Sequence, residues 1–187
     1  MGKGLIKETL YERKAAGAFD LQAPVFDALF TNDSIVQYKR ERVRACVMPF
    51  LKPGDRILEL NAGTGEDALY FSSLGFAVHA TDISENMQRA LQEKVRAAGL
   101  EHLVTQEVCS FNHLHQLKQR GPYDHIFSNF GGLNCSNDLN QVLASCSLLL
   151  KPGGMIHIVV MPPFCIWETL LLLKGRVRTA TRRWLHA

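Results

Sequence analysis

Two carboxylates bracket a glycine-rich loop in the first half of the chain. Arg56-Ile57-Leu58-Glu59-Leu60 runs into Asn61-Ala62-Gly63-Thr64-Gly65, and Asp82 closes the apolar run that starts at Phe76, 17 residues after Gly65. Glycine there lets the backbone take positive φ and approach a ligand without a Cβ in the way. An aspartate at the end of the next strand has two oxygens for the two hydroxyls of a ribose. Strand, loop, helix, strand and terminal acid, in that order, point to a nucleoside cofactor; the bland alternative is a tight turn with an unrelated surface aspartate. Gly63-Thr64-Gly65-Glu66-Asp67-Ala68 also fits the dinucleotide fingerprint with Ala in third place, so spacing alone leaves an NAD-type oxidoreductase open. Electrostatics argues against it: Glu66 and Asp67 in the first turn of the following helix would compete for the amides a pyrophosphate needs and would repel it. S-adenosylmethionine has no phosphate, and its ammonium and sulfonium would be favoured by a carboxylate such as Glu59.

The elements that must position these residues alternate. A capped helix is predicted over 35–51, behind Asp33-Ser34, and the turn Lys52-Pro53-Gly54-Asp55 leads to a strand over 56–60. Helical spacing resumes over 66–74 up to Gly75, followed by a strand over 76–82, a helix over 85–98 stopped by Gly99, and a strand over 102–108. A short helical piece over 113–118, a strand over 123–130, a helix over 138–150 and a strand over 155–161 complete the pattern. Strict alternation means right-handed crossovers and an α/β fold, a doubly wound Rossmann-like parallel sheet, with ligands outside the carboxyl ends of its strands.

Ile57 to Gly65 resembles the first motif of class I S-adenosylmethionine-dependent methyltransferases, and Ala80-Thr81-Asp82-Ile83-Ser84 resembles their second-strand motif. Tyr123 to Phe130 and Leu148-Leu149-Leu150-Lys151-Pro152-Gly153-Gly154 are similar to the fourth-strand motif and the turn into the fifth strand. The likeness covers about residues 19–183 and is greatest to a bacterial, small-molecule-type subgroup whose Asn-Phe-Gly-Gly-Leu-Asn run is echoed at Asn129 to Asn134. It implies an enzyme of EC class 2.1.1 that passes a methyl group from S-adenosylmethionine to a small-molecule acceptor by in-line displacement. Asn61, Ala62, Gly63 and Gly65 would line the methionine end, with Glu59 nearby, and Asp82 would hold the ribose. Ile83 would pack on the adenine, Ser110 and Phe111 would flank its edge, and Asn129 and Phe130 would sit near the methyl donor. Three positions depart from the family pattern: Asn61 stands where Gly is commoner, Ser110 where an Asp often accepts from the adenine amine, and Phe26-Asp27 where Tyr-Asp is frequent. A non-catalytic cofactor-binding accessory protein is the third reading beside the transferase and the oxidoreductase.

No catalytic base is assignable, and methyl transfer to a good nucleophile can proceed by proximity and desolvation without one. His113 and His115, two apart on a helix, are not expected to share a face for a metal; His125 and His157 read as satisfied polar positions within strands. The five cysteines are scattered and form no Cys-x-x-Cys pair, which fits a reducing, cytoplasmic setting without a disulfide framework or zinc site. With 47% apolar and 21% charged residues and a mean hydropathy of -0.04, the 187-residue chain has the composition of a globular domain rather than a disordered or fibrous one. A net charge of +3 gives no electrostatic case for nucleic acid.

The expected organisation is an N-terminal helical segment over 1–51, a cofactor-binding core over 52–162 and a C-terminal apolar and basic helix over 163–187. That last helix carries Trp167, Lys174, Arg176, Arg178, Arg182 and Arg183. It is read as flanking the substrate mouth, with membrane-surface or RNA contact as alternatives; no transmembrane segment is expected, because Pro162, Pro163 and Glu168 interrupt the longest apolar stretch. Class I sheets resemble one another in having seven strands, whereas five can be read here. The expectation is therefore a truncated chain that keeps the cofactor pocket, leaves its fifth strand as an open edge prone to association, and is deficient in acceptor binding.

Overall fold

β1 (Arg56–Leu60) is the middle strand of a five-stranded sheet whose order is β3-β2-β1-β4-β5 and whose pairings are all parallel. The computed structural model describes residues 10–136, 138–162, 166–170 and 175–177. The other strands are β2 (Ala77–Asp82), β3 (Val104–Val108), β4 (Tyr123–Ser128) and β5 (Leu150–Ile158). Helices α1 (Leu10–Phe30) and α2 (Ser34–Val47) precede the sheet; α3 (Glu66–Ser73), α4 (Glu85–Ala97) and α5 (Leu139–Ser147) connect its strands, and α6 (Ile166–Leu170) follows it. This is the doubly wound α/β arrangement expected from the alternating pattern.

Both faces of β1 are covered, which is why its sequence is a near-continuous apolar run. Ile57, with Val78 and Phe127, packs under Ala68, Phe71, Leu91 and Val95, while Leu58 and Leu60, with Ile126, pack against Leu114, Val142 and Cys146. Phe71 meets Phe127 edge-on at 5.2 Å between centroids. Each such buried side chain contributes about 1.5–3 kcal/mol. The connection out of β3 returns to the far side of β1, so the order reverses between β1 and β4, and the ends of those strands part to leave a crevice.

Local chemistry sets the helix ends. Ser84 Oγ accepts the Met87 amide at the start of α4, Lys94 and Arg96 lie in its last turn, and Gly99 stops it with φ 68°. Helix α1 falls within the helical segment expected over 1–51, although Gly17 and Pro24 interrupt its local pattern. Pro24 has no N–H for the Asp20 carbonyl, and Asn86 Nδ2 donates to that freed oxygen at 3.2 Å instead.

Three expected elements are corrected. The fifth strand begins at Leu150 rather than 155, because Leu150 pairs with Tyr123 before a register shift at the Lys-Pro-Gly-Gly turn, which the sequence presents as loop. The piece near 113–118 is a kinked 3-10 turn, Phe111–Gln116, in which His113 leaves helical geometry at φ -126°. The kink brings the His113 and His115 rings within 5.9 Å, against the expectation of separate faces. The helix expected to reach residue 150 ends at Ser147.

Among the described residues no strand pairs with the outer side of β5, no helix is long and apolar enough to cross a membrane, and no group of three or more His, Cys, Asp or Glu is placed to hold a metal. Lys174, Arg178, Arg182 and Arg183, on which the membrane or RNA reading of the tail depended, lie outside the described residues.

His125 Nε2 meets Asp55 Oδ2 at 3.0 Å, its Nδ1 meets His157 Nε2 at 3.1 Å, and the two imidazoles stack. Burial lowers the His157 pKa and His125 lowers it further; burial also lowers His79, against the pull of Glu107. A histidine kept neutral in the fold takes up protons more readily when unfolded. Stability from these sites is therefore intact above about pH 6.5 and lost as pH falls below it. Glu59 and Asp82, whose pKa values are raised by burial, act in the opposite sense. The histidine contribution is thus read by difference: His157→Gln should lose less melting temperature than the parent between about pH 7.5 and about pH 5.5. Equal losses in thermal melts of the two proteins would remove His157 from the acid response.

Candidate functional site

At the end of β1 the backbone turns through three left-handed residues, Asn61 (φ 50°), Gly63 (φ 56°) and Gly65 (φ 83°). Asn tolerates this conformation better than most residues, and its side chain is anchored as well. Asn61 Oδ1 accepts from Ser128 Oγ at 2.6 Å and Nδ2 donates to the Asn129 carbonyl at 3.1 Å, which fastens the end of β1 to the end of β4. A Cβ on Gly132 would fall 2.2–2.6 Å from the Asn61 carboxamide, so the glycine pair after Phe130 is what lets these loops close on each other.

The other side of the loop is tied to β2. Ala62 N donates to the Thr81 carbonyl at 2.9 Å, and Gly63 N donates to Asp82 Oδ2 at 2.8 Å. Asp82 Oδ1 accepts the Ser84 amide at 2.9 Å. Burial raises the Asp82 pKa, while the amides of Ser84, Gly63 and Ile83 oppose the rise. A carboxylate offers about four acceptor positions, so these amides leave capacity for a ligand hydroxyl.

Two adjoining cavities open over these loops, of about 820 and 930 Å³ counting their mouths. The first is lined by Asp82, Ile83, Ser110 and Phe111, the second by Glu59, Ala62, Thr64, Asp67 and Arg40; Asn61, Gly63, Asn129 and Phe130 border both. Every residue singled out from the sequence therefore lines a cavity except Gly65. A Cβ on Gly65 would strike Leu91 Cδ1 at 1.9 Å, so this glycine serves the approach of α3 to α4, whereas a Cβ on Gly63 would meet nothing within 4 Å.

The expected pair of like charges at the start of α3 is corrected by the tertiary contacts. Asp67 is buried, with Oδ2 2.7 Å from Arg40 and 2.9 Å from Asn129 Nδ2, and Oδ1 2.7 Å from Arg44 Nε. Glu66 pairs with Lys94 at 2.7 Å, and Lys94 also reaches Asp27 at 2.9 Å. Neither acid presents an uncompensated charge to a phosphate, so repulsion at this turn does not by itself exclude a dinucleotide.

Two buried polar atoms beside the second cavity have no hydrogen-bond partner: Glu59 Oε2 and Arg40 Nε. Burial, then repulsion from Asp67, holds the Glu59 pKa well above its ordinary value, opposed by Arg40 and Arg44. A buried polar atom without a partner is costly and marks a place where a ligand group fits. One atom can take an ammonium and the other can donate to a carboxylate.

Of the roof of the site, the sequence singled out only Phe26-Asp27, as a departure from the family pattern. Phe19 and Phe26 of α1 line both cavities, Phe30 and Arg40 the second. Asp27 Oδ1 accepts from Thr64 Oγ1 at 2.6 Å, and Asp20 accepts from Ser84 Oγ and from the Asn86 amide. Arg40 stands in a Lys-Arg-Glu-Arg-Val-Arg run that reads as a solvated face. The available signal was the spacing of Val36, Arg40, Val43, Arg44 and Val47, which places both arginines on the apolar stripe.

Residues 57–154 match a family model described as a methyltransferase domain, more than half of the chain, and the chain belongs to that family. It is 26% identical over 148 residues to the demethylmenaquinone methyltransferase of Bacillus cytotoxicus, covering 78% of this chain and 61% of that one. It is 34% identical over 107 residues to the glycine/sarcosine/dimethylglycine N-methyltransferase of Actinopolyspora halophila, covering 57% and 18%. Among solved structures, the cyclase SpnF superposes with a TM-score of 0.66 at 19% identity, covering 78% of this chain and 58% of that one, a likeness of fold. The chain thus spans about three fifths of the length of the first of these relatives.

The two loop glycines should separate in stability. Gly63→Ala meets only the left-handed penalty, about 1–2 kcal/mol, whereas Gly65→Ala adds an overpacking cost of about 1–3 kcal/mol against Leu91. Urea melts of the two variants giving equal losses would contradict the packing role of Gly65.

Proposed function

We propose that this chain binds S-adenosylmethionine and passes its methyl group to a small-molecule acceptor. The observation that carries this reading is the complementary equipment of the two cavities. Asp82, with spare acceptor capacity for a ribose hydroxyl, lines one; Glu59 and Arg40, each with a buried polar atom that has no partner, line the other; the glycine loop borders both. A molecule with a nucleoside at one end and an α-amino acid at the other satisfies both sets, and S-adenosylmethionine is such a molecule. Membership of the methyltransferase-domain family supports the same assignment. A cytoplasmic setting fits the described cysteines, which are all free thiols.

When bound, the cofactor supplies an electrophilic methyl group on a sulfonium; an acceptor atom with a lone pair takes the methyl in line, and the C–S electron pair stays on sulfur as the neutral thioether. The residues of the chain supply the holding and the dryness. Asp82 takes the ribose hydroxyls, Ile83, Ser110 and Phe111 border the base, and Glu59 and Arg40 hold the amino-acid end. Asn129 and Phe130, bordering both cavities, set the wall near the transferring group, and Phe19 and Phe26 shield it from water.

Calorimetric titration with S-adenosylhomocysteine tests the reading. Asp82→Ala should weaken binding by about 1.5–3 kcal/mol, the scale of lost charge-assisted hydrogen bonds. Gly63→Val should block it, since its side chain would enter the open space above the loop. Affinity should fall on acidification as Asp82 takes up a proton, beginning at a higher pH than for an ordinary aspartate because burial raises its pKa. Tighter binding of NADH than of S-adenosylhomocysteine would overturn the assignment.

A further inference from the structure

Resting on that cofactor reading, we propose that the methyl acceptor is a flat, uncharged aromatic ring system bound in the second cavity against Phe30, Val36 and Phe130. The walls of that cavity come from three places in the chain. Phe26 and Phe30, one turn apart on α1, stand 4.8 Å apart between ring centroids at 59°; Val36 enters from the first turn of α2; Phe130 enters from the end of β4.

Phe130 is held there at a cost. Its φ of 53° is uncommon for a bulky side chain, and its N–H is fixed by Asn129 Oδ1 at 2.7 Å, while Asn129 is itself bonded to the buried Asp67. The Arg40 guanidinium lies 4.6 Å from the Phe130 centroid, yet the residue remains 40% exposed. A strained, backed and still accessible phenyl ring bordering both cavities is suited to stack a flat partner beside the transferring methyl group.

The charges of the cavity exclude the other class of acceptor. Asp67 is spent on Arg40, Arg44 and Asn129, and Glu66 on Lys94. Glu59 Oε2 and Arg40 Nε are taken by the amino-acid end of the cofactor. The ammonium of an acceptor such as a free amino acid would then lie among rings without a free carboxylate, which burial penalises. An uncharged ring system loses nothing there and gains ring contacts.

The test titrates the chain, saturated with S-adenosylhomocysteine, with 2-naphthol, cyclohexanol and sarcosine in parallel. Saturable binding of 2-naphthol, tighter than that of the other two, is expected. Phe30→Ala and Val36→Asn, neither of which has a role in holding the cofactor, should each weaken 2-naphthol binding by about fivefold while S-adenosylhomocysteine affinity stays within about twofold. Sarcosine or cyclohexanol binding as tightly as 2-naphthol, or unchanged 2-naphthol affinity in both variants, would overturn the proposal. If S-adenosylhomocysteine binds and 2-naphthol does not, the acceptor assignment alone fails. If S-adenosylhomocysteine itself does not bind, the cofactor reading fails and the acceptor assignment falls with it.

Discussion

The carboxylate of Asp67 is the fixed point around which the site is assembled. It lies in the first turn of α3, 2% exposed, and its two oxygens receive Arg40 and Arg44 from α2 and Asn129 from the end of β4. A buried charge of this kind is tolerable only with its partners in place, and removing one partner of such a pair costs about 3–5 kcal/mol. The network therefore fixes where α2 can sit on the sheet. It also decides which way Asn129 points, and through Asn129 the strained conformation of Phe130. Arg40 is drawn in with its Nε buried and without a partner.

A second set of polar contacts holds α1 over the loops. Asp20 receives Ser84 and Asn86, and Asp27 receives Thr64 and Lys94. These bonds join the helix to the start of α4 and to the glycine loop that borders both cavities. The outward side of α1 is apolar and exposed at Leu21, Val25 and Leu29, so the inward polar bonds, with Phe19 and Phe26 over the crevice, determine its orientation. Roof and floor share one hydrogen-bond system.

Acidic groups occupy the site in three electrostatic conditions. Asp67 is neutralised by two guanidinium groups, Asp82 is buried but steadied by backbone amides, and Glu59 is buried with one oxygen unmet. The three lie on one stretch of chain, Glu59 in β1, Asp67 at the start of α3 and Asp82 at the end of β2, and their differences come from what the other elements bring to them. Proximity in sequence to a glycine loop does not say which acid is structural and which is available to a ligand.

By itself the sequence determined the alternation of elements, the glycine loop and the acid at the end of β2, because these depend on local backbone preference and on apolar runs a few residues long. Ile57 to Leu60, the glycine turn after them and the Gly99 stop of α4 are legible without knowing what lies across the fold. The cavity-lining residues from Glu59 to Phe130 stand at strand ends picked out by the motifs, apart from Gly65, whose missing Cβ admits Leu91. Only the tertiary structure decided how α1 carries Pro24 in its middle, since Asn86 takes up the carbonyl that Pro24 leaves free. It alone brought Arg40 inward from a run of basic residues and cancelled the charges of Glu66 and Asp67. Ion pairs between residues more than twenty positions apart have no signature in either partner's neighbourhood, and their sign and burial exist only once the chain has closed on itself.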